Sequence, residues 1–226
     1  MHVSYLTTVP VENKYTIVFD NEHFVIVDKA PMVLSVPGRL GEDDDRPVLG
    51  RLLEVDLGIT IYPVHRLDYE VQGLIMFAKN PLAHKAAKAW FEKKEVTKTY
   101  HAQTSALSNA PKLNIGELYT WKSKLLRGKK RTYISPHGKD SVTMALITRV
   151  EGSVFHWEMN PVTGRSHQLR FELFHHGHPI IGDELYSSDQ AFSSAGIALR
   201  AFKIDFSKAP GAKKFSLPEI LEIKKI

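Results

Sequence analysis

Three short clusters in the sequence hold side chains of the types that do nucleophilic and acid–base chemistry. The first, HRLDYEVQG at 65–73, places Arg66 two residues before Asp68, just ahead of the apolar run LIMFA. The second is Lys98-Thr99-Tyr100, and the third is TGRSHQLR at 163–170, with Arg165 and His167. A carboxylate at the mouth of a buried segment can serve as a nucleophile or as a base. Each cluster alone also has a plain structural reading. An Arg–Asp pair can be a surface ion pair at a strand start, a strand tyrosine is usually packing, and a Thr-Gly-Arg turn can cap a helix.

The surrounding sequence predicts the elements that would position them. TIVFDNEHFVIVDKA (16–30) reads as two short strands around a turn, GLIMFAKN (73–80) as a buried strand, and KTYHAQT (98–104) as an alternating strand. VLGRLLEVDLG (48–58) has helical apolar spacing with Gly58 as a cap. Asn80-Pro81 is a strong helix start for PLAHKAAKAWFEKKE. SVTMALITRV and VFHWEMNPV read as strands of one hairpin, and SHQLRFELFHHGHP (166–179) as a helix ended by Gly177. Strands and helices interleave without regular βαβ spacing. The expectation is an α+β fold, a single domain over 1–226 with a mixed, largely antiparallel central sheet flanked by helices.

Composition narrows the function classes. The chain has 226 residues, 43% hydrophobic, with mean hydropathy −0.21 and no cysteine, so disulfides and thiolate metal sites are excluded. No apolar run is long enough for a transmembrane helix, and MHVSYLTTVPVENKY does not read as a signal peptide, so the cytoplasm is the expected compartment and no membrane partner is expected. A net charge of +5 and a sequence pI of about 9.2 hint at nucleic acid. WKSKLLRGKKR (121–131) concentrates the positive charge with no acid among it, either a solvated loop or a phosphate-contacting arm. EDDD at 42–45 reads as an exposed loop. His175, His176 and His178 form a tight cluster, but adjacent histidines face apart and no carboxylate pattern completes a set, so no metal is expected.

Taken in order, HRLD with its Gly-apolar run, K-x-Y, TGRSHQLR and GHPIIGDELY (177–186) resemble the RluA-type pseudouridine synthases. FVIVDKAPMVLSVPGR upstream resembles the same family's strand, Lys-Pro turn and apolar segment, and the likeness covers about residues 18–207. It is closest to the short members without an S4-type RNA-binding domain, which modify large-subunit (23S) ribosomal RNA and a tRNA anticodon stem-loop. The resemblance implies isomerisation of a uridine in structured RNA to pseudouridine, with base flipping, no metal and no cofactor, by a protein expected to be a monomer. By motif position Asp68 would be the catalytic carboxylate and Arg165 the cation that pairs with it. Tyr100 would stack on the uracil and take the C5 proton, and Arg66 would enter the duplex where the uridine leaves. His65, Lys98 and His167 would be further RNA contacts, with His167 also a candidate for a hydrogen bond inside its own turn. The segment 119–140 falls where the family has an insertion that grips the RNA stem, which gives Lys129, Lys130 and Arg131 that role.

The sequence departs from the family's usual HRLDxxTSG at Val71 and Gln72. Val71 keeps the shape of Thr without its hydroxyl, while Gln72 is larger yet polar, so the support of the active-site loop is expected to differ. Arg200, in ALRAF, stands where the family often has His. Two rivals remain: a non-catalytic RNA-binding or RNA-folding protein on the same scaffold, and a glycosidase-like enzyme that would use Glu70 as the second carboxylate beside Asp68.

Overall fold

Residues 24–29 and 72–78 are almost continuously apolar, and the structure buries both segments on both faces. The computed structural model describes residues 14–38 and 44–226. Its first half holds β1 (Tyr15–Asp20), β2 (Phe24–Lys29), α1 (Leu49–Leu57), β3 (Tyr62–Pro63), β4 (Gln72–Ala78), α2 (Pro81–Glu92) and β5 (Thr97–Ser105). The second half holds β6 (Leu118–Arg127), β7 (Thr132–Ile134), β8 (Lys139–Glu151), β9 (Val154–Pro161), α3 (Gln168–His175), β10 (Leu199–Asp205) and β11 (Ile220–Glu222).

The strands form one mixed sheet in the order β1-β2-β4-β10-β5-β9-β8-β6-β7, with β3 added at β4 and β11 at β10. Among the described pairings between the named strands only β4 with β10 is parallel, over Gln72–Arg200 and Gly73–Ala201. Period-two alternation divides the core. Val25, Val27, Ile75 and Phe77 face one layer with Leu49 and Leu53 of α1. Phe24, Ile26, Leu74 and Met76 face the other, against Ala83, Ala87 and Trp90 of α2. Each such large side chain contributes about 1.5–3 kcal/mol on burial, so β2 and β4 are the rigid centre on which the HRLD loop is mounted.

The helix signals act as expected. Asn80 Oδ1 accepts from the Ala83 N–H at 2.9 Å with Pro81 in the first turn. Gly58, at φ 66°, ends α1 by donating to the Glu54 carbonyl. Most of the basic stretch differs from the solvated-loop reading. Residues 118–127 are a strand, because Trp121 and Leu125 alternate inward while Lys122 and Lys124 face water. Its charge density concealed that period. The helix expected over 166–179 is shorter, since His167 sits at φ 52° and α3 begins after it. In the EDDD segment, Glu42 and Asp43 lie outside the described residues, as does 1–13. Asp44 is not free but bound to Arg46 at 2.7 Å. No described helix is long and apolar enough to cross a membrane.

Candidate active site

The carboxylate of HRLD stands on a loop whose backbone is held from outside at Leu67, Tyr69 and Glu70. Ser35 Oγ donates to the Leu67 carbonyl at 2.8 Å and accepts from its N–H at 2.9 Å. The Val71 N–H closes a turn on the Asp68 carbonyl at 3.2 Å, and the Met32 and Ile197 N–H groups bond the carbonyls of Tyr69 and Glu70. Val71 is 2% exposed and belongs to the core. Behind the loop the Lys29 amine, fully buried, donates to the carbonyls of Ala30 and Val33 at 2.9 Å each. Burial pushes its pKa down to about 7 against the pull of Asp68, Glu70 and Asp28.

The cation beside Asp68 is Arg170, not Arg165. Arg170 Nη1 lies 3.8 Å from Asp68 Oδ2 and 2.9 Å from Glu70 Oε2. Its Nε and Nη2 donate to the two oxygens of Asp183 at 2.6 and 2.8 Å, and the guanidinium lies over the Tyr186 ring. Arg165 lines the same cleft, but its Nε donates to the Asp140 carbonyl at 2.8 Å. The expected Arg165–Asp68 pair is therefore corrected. The reason is local: Gln168 accepts from the Arg165 N–H and Thr163 Oγ1 and donates to the Val142 carbonyl and Thr143 Oγ1. That bracing holds 163–168 against β8, and the first turn of α3 then aims Arg170 inward. An arginine flanked by Leu169 and Phe171 in α3 was the available signal, because an arginine is rarely fully buried unless paired.

Asp68, Tyr100, Arg170, Arg165, Arg66, Lys98, His65 and His167 line one cleft of about 430 Å³, in the usual range for small-molecule sites. Burial raises the Asp68 pKa, opposed first by Arg170 and then by Arg66, Arg127 and Lys29. Burial alone would lower Arg170, but Asp183, Glu70 and Asp68 hold it firmly protonated. Tyr100 is 6% exposed in β5, and burial together with the Asp68 charge raises its pKa, so its surroundings oppose rather than assist ionisation. Lys98 is lowered by burial to about 8 and lies over the Phe91 ring at 5.6 Å. Arg66 is exposed at the mouth. His65 Nε2 accepts from the Met76 N–H at 3.2 Å and its ring stacks on Phe91, so one ring nitrogen is already committed to β4. His167 lies 3.2 Å from the Tyr186 hydroxyl, 19 residues downstream, rather than bonding within its own turn. Burial drives its pKa down to about 3, so it is a neutral imidazole.

Lys129, Lys130 and Arg131 do not line the cleft; they are exposed at the β6–β7 turn. Two bonds tie that hairpin to the site: Thr132 Oγ1 donates to the Ser166 carbonyl at 2.7 Å, and the Thr132 N–H to the Tyr186 hydroxyl at 2.8 Å. The histidine cluster is dispersed among aromatic rings. His175 stacks on Phe171 and His176 on Trp121, while His178 is packed by Phe155 and Trp157. Among the described residues no group of three or more His, Asp or Glu side chains is placed to hold a metal.

Comparison with known proteins matches residues 23–175 to the RNA pseudouridylate synthase family. The chain is 33% identical over 205 residues to the dual-specificity RNA pseudouridine synthase RluA of Vibrio vulnificus, covering 87% of this chain and 79% of the relative. It is 31% identical to the protein of that name from Pasteurella multocida, covering 88% and 90% of the two chains. Among solved structures, human RNA pseudouridylate synthase domain containing 1 superposes with a TM-score of 0.71 at 23% identity, covering 97% of this chain and 85% of that one. Human RNA pseudouridylate synthase domain containing 4 gives 0.69 at 20%, covering 93% and 88%.

Proposed function

Since this chain belongs to the RNA pseudouridylate synthase family and is an RNA pseudouridine synthase, we propose that it isomerises uridines in two structured RNAs, 23S ribosomal RNA and a tRNA stem-loop. The dual-specificity name of its relatives supports that pairing. We assign the chemistry to Asp68, with Arg170 in the pairing position that motif order gave to Arg165. The observation that carries it is one cleft in which a carboxylate, a guanidinium and a buried phenol converge.

The reaction exchanges the C1′–N1 bond of the nucleotide for a C1′–C5 bond, and the C5 proton is lost as N1 regains one, so nothing is added overall. Extracting the uridine from its stack costs a few kcal/mol. Arg66, exposed at the mouth, offsets part of this by stacking and hydrogen bonding in the vacated place. Arg170 aims the Asp68 carboxylate and favours its ionised form. Tyr100 enters as a neutral phenol whose ring is the platform for uracil. Its hydroxyl can receive the C5 proton only while releasing its own to solvent, which becomes easier once the negative charge of Asp68 has been consumed at the sugar. Lys98 and His167 complete the cleft wall facing the RNA, and Lys129, Lys130 and Arg131 grip the phosphates of the stem. The protein acts as a monomer in the cytoplasm.

Two rivals lose support. Glu70 is taken up by Arg170 at 2.9 Å, so it is not free to serve as the second carboxylate of a glycosidase. A pure binding protein has no use for the Asp68–Arg170–Asp183 arrangement. Pseudouridine mapping of total RNA from cells with and without the gene tests the assignment. One site in 23S ribosomal RNA and one in a tRNA are expected to vanish, and to return with the wild-type gene but not with Asp68→Asn. Restoration by Asp68→Asn would end the catalytic assignment, and loss of one site alone would end the dual-substrate one.

A further inference from the structure

Two of the three departures from the usual family pattern, Gln72 and Arg200, meet in the structure. They face each other in the parallel pairing of β4 with β10, and Arg200 Nη1 donates to Gln72 Oε1 at 2.7 Å. The same guanidinium reaches two further segments. Nη2 is ion-paired and hydrogen-bonded to Asp28 on β2, and Nε donates to the Lys224 carbonyl near the C-terminus at 2.8 Å. We propose that Gln72 and Arg200 act as one clamp that fixes the register of the Asp68 loop, and so are positioning residues for the isomerisation.

Three observations carry this beyond ordinary packing. The parallel junction is only two residue pairs long, which leaves little main-chain bonding to hold it. Its other pair is already at the steric limit: a Cβ on Gly73 would lie 2.2 Å from the Ala201 carbonyl oxygen. Any slack must therefore appear at Gln72, four residues after Asp68, where the loop enters β4. Finally, neither Gln72 nor Arg200 lines the cleft, although Val71 and Leu199 beside them do. The clamp therefore lies outside the cleft and would act on Asp68 through the loop. The Arg200 side chain is 14% exposed, so its pair with Asp28 is only partly screened. A serine at 72 would hold its hydroxyl two carbons nearer the backbone and leave Arg200 without this acceptor.

The inference rests on Asp68 being the catalytic carboxylate. It is tested by initial rates of pseudouridine formation in total RNA from cells lacking the gene, measured against RNA concentration to separate kcat from KM. Gln72→Ala and Arg200→Ala are each expected to lower kcat roughly tenfold, since small misplacements of reacting groups are costly, with KM within about twofold. The double variant should be no slower than the slower single, because both remove one unit. Gln72→Glu, which keeps the acceptor, should retain kcat within about twofold. Unchanged kcat in folded Gln72→Ala, or losses that multiply in the double variant, would overturn the clamp. If Arg200→Ala does not fold, the pair Gln72→Ala and Gln72→Glu decides alone. A wild-type protein that forms no pseudouridine removes the premise and the clamp with it, an outcome distinct from active wild type with unaffected variants.

Discussion

The cleft around Asp68 and the turn at the tip of β6–β7 both depend on arginine and lysine, and they use them in opposite ways. In the cleft, Arg170 is 2% exposed and shares its donors among Asp183, Glu70 and Asp68, beside a loop held through the backbone of Leu67, Tyr69 and Glu70. At the hairpin, Lys129, Lys130 and Arg131 face water, and Lys124 pairs with Asp140 between two exposed side chains. A charge that must act on one bond needs fixed geometry and little competing solvent. A charge that tracks a phosphate backbone needs reach and hydration, because its binding free energy comes largely from released counterions.

That contrast can be broken in three places, in decreasing order of expected effect. Arg170→Met should leave buried Asp183 and the Asp68–Glu70 pair without their cation, costing about 3–5 kcal/mol of stability and abolishing pseudouridine formation. Arg165→Met should keep the fold and a measurable rate, because Arg165 bonds a carbonyl rather than Asp68. Urea unfolding and single-turnover rates of the two variants compare them directly, and an equal loss in both would return the pairing position to Arg165. Replacing Lys129, Lys130 and Arg131 together by Ala should leave single-turnover kcat at saturating RNA unchanged while weakening RNA binding. The slope of log affinity against log salt should flatten by up to about 0.9 for each phosphate that is no longer neutralised. An unaltered slope would remove the hairpin from the interface.

The smallest effect concerns Lys29, lowered by burial to about 7 from its ordinary 10.5. Between about pH 7 and 10.5 the unfolded chain holds this proton and the folded one does not, so the contribution of Lys29 to stability rises with pH across that window and is flat below it. Stability of wild type minus that of Lys29→Met should therefore increase from pH 7 to pH 9.5 in urea unfolding. A difference that stays constant would mean that Lys29 keeps its proton in the core.

Much of the positioning scaffold is local and was legible. Asn80-Pro81 and Gly58 set helix ends by bonds within a few residues, and the apolar runs of β2 and β4 mark strands buried on both faces. The basic stretch was harder, since its inward residues Trp121 and Leu125 are four apart among lysines. In the structure Asp68, Tyr100, Arg66, Lys98, His65, His167 and Arg165 line one cleft.

What the sequence determined by itself was therefore most of the element types, the family and several of the residues around the cleft, Arg170 not among them. Those follow from periodicity, capping chemistry and motif blocks, all readable along the chain. Only the tertiary structure decided which arginine faces Asp68, which group holds His167, and that Gln72 and Arg200 touch across 128 residues. Arg165 and Arg170 lie five residues apart in one block, and either spacing is compatible with a buried carboxylate about 100 residues upstream. The choice depends on how Gln168 braces the 163–168 turn against β8 and where that leaves the first turn of α3. A bond between distant segments is set by the docking of their elements, and docking is a property of the packed core rather than of any stretch of chain.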